Sequence, residues 1–309
     1  MHSHGIEWTK GRLGTLIDLR ASGCTAPEIS DQLTHRWNMP VSVTCINNAI
    51  ARHRVGKFLM ERGEDVKVYN EEMRINVESA IVTSDWHAPH HSEVWVNRML
   101  QFAHKYKIKT HVIGGDWFDM DFAKWSKFRM MMGEGEGDST LDEEIAKNRK
   151  VIEACKYFDV TKLQCGNHEQ RPSTLTDGKI QARHIIDLMG GKEMEGLTVS
   201  VYDKLYINED ILVVHPKSYS QISGSVAVRL AEKTHRHVLN AHGHFMAMRY
   251  DRSAKFMCCD IGGMFDIQKI DYICKKTTTH PTWNNGFAVI MDGGIELIHS
   301  GNLGVWGLK

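Results

Sequence analysis

The sequence has no net charge: 38 Lys and Arg residues are matched by 38 Asp and Glu, with His taken as neutral. No global field therefore draws the protein to nucleic acid or to an anionic surface, so any such attraction has to be local. Long apolar runs are also missing. They extend over only a few residues, against the roughly 20 that a spanning helix needs, so no membrane partner is expected. The opening stretch, MHSHGIEWTK, lacks the apolar segment of a secretory signal. No CxxC pair occurs, and the seven cysteines are an odd number. That usage suits free thiols in a reducing cytoplasm better than a disulfide framework.

What is present is ordinary but for one residue type. The 309 residues are 42% apolar and 25% charged, which excludes a disordered or fibrous protein and implies a real core. The length favours two domains, or one large domain with an appendage. Histidine is the outlier, with 18 residues, and such an excess directs attention to metal.

Three stretches differ in pattern. Residues 1–62 show short helical patterns at 9–21, from Thr25 through Leu33, and at 43–55, with Thr25 as an N-cap and Pro27 in the first turn. This small helical bundle carries eight basic residues against five acidic ones. Residues 63–77 are polar and aperiodic, and are expected to be a linker. From residue 78 to 309, short β-branched runs alternate with helical stretches, the pattern of an α/β domain with a strand-rich end. The strand runs are Ala80–Thr83, 111–113, 161–164, Ile211–Val214 and 237–239.

Nearly every one of these runs ends in metal-ligating side chains. IVTSDWH delivers Asp85 and His87, and HVIGGDWFD delivers Asp116 and Asp119. KLQCGNHE delivers Asn167, His168 and Glu169; ILVVHP delivers His215; VLNAHGH delivers His242 and His244. Ligands in open α/β sheets bind beyond the carboxyl ends of strands, so five strand ends can meet at one site. Oxygen and imidazole donors without cysteine point to manganese, iron or zinc rather than a thiolate structural zinc. One carboxylate can bridge two ions about 3.5–4 Å apart and raise the acidity of a shared water. The Asp-x-His and His-x-His spacings are expected to work through strand alternation, which points alternate residues the same way.

The ordered blocks D-x-H, G-D-x-x-D, G-N-H-E, H and H-x-H resemble the calcineurin-like metallophosphoesterases over roughly residues 78–300. The fuller pattern GDWFDMDFAKWSKF…GNHEQR is similar to bacteriophage-encoded phosphoesterases. The resemblance implies a two-sheet β-sandwich flanked by helices, and two divalent ions, with manganese favoured. It makes Asp85, His87 and His244 ligands of one ion and Asn167, His215 and His242 ligands of the other, with Asp116 bridging. His168 matches the family's catalytic general acid, and Asp119 the carboxylate that orients it. The chain departs from the family in having Ala241 before its last His-x-His. It also lacks the DRG continuation of protein phosphatases, since Met120-Asp121-Phe122 follows Asp119.

Beyond these blocks, Arg171 is placed either to clamp a substrate phosphate with its planar fork or to pair with Glu169 or another acid. Lys124, Lys127 and Arg129, interleaved with Trp125 and Phe128, suit either a strand-binding flap or an amphipathic surface helix. In the bundle, LRASGCTAPEISDQL resembles the first half of a helix-turn-helix of the phage and resolvase type. Asn47, Arg52 and Arg54 are then the DNA-binding candidates on its third helix. A protein-docking bundle, which would suit a homo-oligomer, and a simple stabilising cap remain open. The expectation is a cytoplasmic phosphodiesterase or nuclease acting on DNA, in a host bacterium if the chain is phage-encoded. The alternative is a small-molecule or phosphoprotein phosphatase with the bundle as an assembly module.

Overall fold

The computed structural model describes residues 6, 8–22, 24–52, 73–123, 140–270 and 283–309. The chain divides into two compact units, Met1–Asn70 and Glu71–Lys309.

In the first unit, helices Lys10–Ala21, Ala26–Trp37 and Val43–Arg52 enclose Leu16, Ile17, Ile29, Leu33, Val41, Ile46 and Ala49. Thr25 and Glu28 form a reciprocal capping box at the start of the second helix, and Pro27 sits in its first turn, where a missing N–H costs nothing. That helix continues past Leu33 to Trp37, whose ring packs edge-on to Trp8 with centroids 5.8 Å apart. It stops at Asn38, which takes a left-handed conformation (φ 48°) that Asn tolerates. Ser42, Thr44, Asn47 and Asn48 are exposed. The end of the expected third helix, with Arg54, and residues 63–72 of the expected linker lie outside the described residues.

The second unit is mixed α/β with two six-stranded sheets. One has the order β1 (Met73–Ile75), β6 (Lys204–Ile207), β7 (Ile211–Val214), β8 (His237–Asn240), β10 (Met257–Ile261), β9 (Met246–Tyr250). The other has the order β12 (Gly294–His299), β11 (Gly286–Met291), β2 (Ala80–Thr83), β3 (Thr110–Ile113), β4 (Val160–Gln164), β5 (Leu197–Ser200). β2, β3 and β4 run parallel side by side, as do β7 and β8. β2 and β7 are buried along their whole length because both faces are covered. Val82, Val112, Val213 and Leu239 share one apolar layer drawn from both sheets. On the outer face of the β2–β4 sheet, Ile81 and Leu163 pack with Met99 and Phe102 of helix Glu93–Tyr106 and Ile152 of helix Leu141–Cys155.

Met73–Ile75 departs from the expected linker: it is a strand, paired in parallel with β6. Three residues are too few to show a period, and the partner strand is remote in sequence. Arg74 lies over the ring of Tyr206, 4.4 Å from its centroid. The turn chemistry of Asp292-Gly293 closes the β11–β12 hairpin, both residues having positive φ (53° and 73°). No helix among the described residues is long and apolar enough to cross a membrane.

Candidate metal centre

The parallel strands β2, β3, β4, β7 and β8 end in loops that bring together Asp85, His87, Asp116, Asn167, His168, His215, His242 and His244. The expected mechanism of aim, strand alternation, is not the one used. Strand β2 ends at Thr83, and Asp85 and His87 follow it with φ of 51° and 48°. Asp116 (50°), His242 (68°) and His244 (57°) are left-handed too. Each such residue costs on the order of 1–2 kcal/mol. Backbone bonding holds the turns: Asp85 N–H donates to Gly115 O (3.0 Å), and Trp86 and His87 N–H both donate to Asp116 O (2.8 and 3.0 Å). Glycine is required where the loops after β3 and β4 meet. A Cβ on Gly166 would lie 2.1 Å from Asp116 Oδ1, and one on Gly115 (φ 93°) 2.6 Å from His215 Nδ1.

Among the described residues three groups of donors result, each with ligand atoms within 4.8 Å of one another: Asp85, His87 and His244; His87, Asp116 and His168; Asp116, His215 and His242. Asp85 Oδ1 is 3.1 Å from His244 Nε2, and His87 Nε2 is 3.2 Å from the same atom. His215 Nε2 is 3.3 Å from Asp116 Oδ2 and 3.0 Å from Asn167 Oδ1, while its Nδ1 bonds Gly114 O at 2.9 Å. Asp85 and Asp116 are buried, His215 and His244 almost so. Burial opposes ionisation of Asp85, but His244 and His215 outweigh it and hold the carboxyl at about 2. His215 is driven the other way: against burial, Asp116 and Asp85 push it up to about 10.

This donor set fits divalent cations. Asp85 Oδ1 is buried without a hydrogen-bond partner, so its close approach to His244 is not a well-aligned hydrogen bond. His87 Nδ1 bonds Asp119 Oδ1 at 3.0 Å, which leaves the lone pair on Nε2, facing His244 Nε2. Imidazole and carboxylate donor atoms converging in this way are what a cation satisfies.

Asp119 has a wider role than orienting one imidazole. Its Oδ1 lies 2.6 Å from His168 Nδ1 as well as 3.0 Å from His87 Nδ1. The two rings stand edge-on with centroids 4.6 Å apart. Burial would lower His168, but Asp116 and Asp119 outweigh it and raise its pKa. Among the described residues Arg171 pairs with neither Glu169 nor another carboxylate. It donates from Nη1 to Asp119 O (2.6 Å) and places Nη2 2.8 Å from His168 Nε2.

Glu169 instead ties the loops together. It accepts the N–H groups of Asp116 (2.8 Å), Gly166 (2.9 Å) and Phe118 (3.0 Å). Burial and the charge of Asp116 raise it to about 7. Glu144, buried in helix Leu141–Cys155, likewise accepts the Phe122 N–H at 2.8 Å and steadies the turn after Asp119. A third support is His111 on β3, which like Glu144 was missed by sequence reasoning. Trp86 Nε1 donates to Thr83 Oγ1 (2.8 Å), and the same hydroxyl shares a hydrogen bond with His111 Nε2 (2.8 Å). Trp86 separates Asp85 from His87, and this chain fixes it. Glu169 stands in the G-N-H-E block, where it was expected as a ligand rather than a brace, whereas Glu144 and His111 lacked any motif by which to be found.

Burial pushes His111 down to about 3, so it stays neutral when folded while the unfolded residue titrates near 6.5. Between those values the unfolded chain binds the extra proton, so as pH falls stability drops by up to about 1.4 kcal/mol per unit from this group. His111→Gln keeps a hydrogen-bonding group for Thr83 and removes that dependence. Urea melts at pH 6 and pH 4.5 are expected to show a smaller acid loss in the variant; equal losses would refute it.

Asn47 is exposed on helix Val43–Arg52, which contains the backbone of Arg52. Lys124, Lys127 and Arg129 lie outside the described residues, as does Arg54. No family model matches the chain, and no curated protein matches it. Among solved structures, YfcE, a phosphoesterase from E. coli, aligns with a TM-score of 0.32 at 9% identity, covering 72% of this chain and 98% of that one. That likeness is too loose to bear on function.

Proposed function

We propose that the protein is a metal-dependent phosphoester hydrolase acting on phosphodiesters, with DNA as the polymer it serves. The supporting observation is that Asp116 belongs to two of the three Asp/His groups, beside a histidine pinned by Asp119. In this reading Asp85, His87 and His244 hold one divalent ion and Asn167, His215 and His242 the other, with Asp116 common to both. Manganese is preferred, with iron or zinc as alternatives. Such ions, when bound, neutralise phosphoryl oxygens and acidify a water.

The chain's own residues supply the rest. Asn167 adds a donor without adding negative charge, so a phosphate can still approach. His168 donates from Nδ1 to Asp119, which leaves Nε2 to protonate the departing oxygen. Arg171 Nη2 and His168 Nε2 cannot both donate across 2.8 Å, so with the guanidinium in place Nε2 carries a lone pair. A substrate phosphate that draws Arg171 onto its oxygens frees Nε2 to carry the proton.

DNA enters through the first unit, whose exposed Ser42, Thr44, Asn47 and Asn48 are residue types that read bases and phosphates, and whose sequence adds Arg52 and Arg54. With manganese, the protein is expected to turn over bis-p-nitrophenyl phosphate faster than p-nitrophenyl phosphate; preference for the monoester would defeat the diester assignment. Duplex affinity should fall with salt, with a log–log slope of about −0.9 per phosphate contact, and Arg52→Ala should remove about one contact. If bundle substitutions change self-association and leave DNA affinity alone, the bundle is an assembly module and the phosphatase alternative gains.

A further inference from the structure

We infer that the site takes a nucleotidyl phosphodiester and stacks its base on an aromatic rim made by Trp283 and Tyr219; this rests on the phosphodiester hydrolase proposed above. Both rings border the loop between β8 and β9 that carries His242 and His244. Trp283 is half-buried and stands edge-on to the His244 ring, with centroids 4.2 Å apart and planes at 86°. Behind it is the buried Phe265, 5.5 Å from Trp283 and 4.9 Å from His244. Tyr219 is 53% exposed and lies roughly parallel to Phe245, the residue after His244, at 6.4 Å and 29°.

Support of His244 would account for Trp283 alone; it does not account for Tyr219. That ring lies four residues beyond His215, on a segment tied down at both ends. His215 N–H donates to Asp203 O (2.8 Å), and Gly224 N–H donates to the buried carboxylate of Asp260, which also accepts from Asn240 Nδ2 (2.7 Å). The segment therefore carries, between its tethered ends and directly after His215, an aromatic face set against Phe245 and the exposed cation Lys217. An aromatic face with a cation beside a phosphate site matches a base joined through its sugar to the scissile phosphate. A phosphoserine peptide or a sugar phosphate brings no plane to stack. Because every base has a π-face, the rim should discriminate little among the four.

The test uses the full chain with manganese and two chromogenic diesters sharing one leaving group: the p-nitrophenyl ester of thymidine 5′-phosphate, and methyl p-nitrophenyl phosphate. The wild type should favour the nucleotidyl ester. Trp283→Ala should reduce that preference by about tenfold or more, chiefly through KM, with Trp283→Phe retaining most of it and Tyr219→Ala losing several-fold. A parallel fall for both esters would make Trp283 a support of His244 and overturn the inference. Equilibrium dialysis of thymidine 5′-phosphate against deoxyribose 5-phosphate supplies a readout without turnover. A Trp283-dependent gain from the base in a protein that hydrolyses neither ester would keep the rim and remove the hydrolase. No gain from the base in either measurement would remove the rim and leave a hydrolase of small diesters. Stronger competition by a short oligothymidylate than by the mononucleotide would assign the base to a strand, and equal competition to a free nucleotide; both retain the rim.

Discussion

Asp116→Asn is expected to abolish turnover, by at least about 10³-fold, the scale of losing one electrostatic stabiliser of a transition state. It should also cut metal uptake from two ions per chain to no more than one, weakly held. The substitution is mild for the fold. An asparagine oxygen can still accept the His168 N–H that Asp116 Oδ1 accepts at 2.9 Å, and Asp116 N–H keeps Glu169. What is lost is the negative oxygen 3.3 Å from His215 Nε2 and 3.8 Å from His168 Nε2. Elemental analysis after dialysis, or anomalous scattering from metal-loaded crystals, counts the ions, and a melting curve checks the fold. Two full ions in the variant would remove Asp116 from its shared position.

His168→Ala should separate proton transfer from metal binding. Both ions are expected to remain while the rate falls by roughly 10²–10⁴, the usual worth of a general acid. The loss should shrink for a good leaving group such as p-nitrophenolate, which needs little protonation. An equal loss for good and poor leaving groups would mean that His168 only positions substrate. A fall in metal content would instead make it a ligand, since its ring lies within reach of Asp116 and His87. Asp119→Asn should follow more weakly and in two respects. Its Oδ1 serves His87 as well as His168, so metal affinity on the His87 side should drop along with the rate, by the 10–100-fold typical of residues that orient ligands.

Much of this was legible in the chain. The runs Ala80–Thr83 and Ile211–Val214 are strands with the expected bounds, and helix Glu93–Tyr106 buries Trp95, Met99, Phe102 and Ala103 at helical spacing. A short β-branched run and an apolar stripe are local signals, encoded within a few residues of where they act. For the same reason the donors could be assigned to strand ends before any fold was known. Tyr106, the last residue of that helix, is 36% exposed and packs its ring beside Phe102 and Trp306.

What composition and pattern determined by themselves was therefore the α/β alternation, the helical first segment and the set of side chains at the strand ends. The tertiary structure alone decided how those side chains are aimed and held. Left-handed turns at Asp85, His87, Asp116, His242 and His244 replace strand alternation, and two glycines let the β3 and β4 loops touch. Glu169 bonds three backbone N–H groups rather than Arg171, Asp119 serves two histidines, and His111 fixes Trp86 through Thr83. Met73–Ile75 becomes a strand only because β6 offers it an edge. Each of these depends on hydrogen bonds or close approach between segments the fold brings together, and such partners leave no periodicity along the chain.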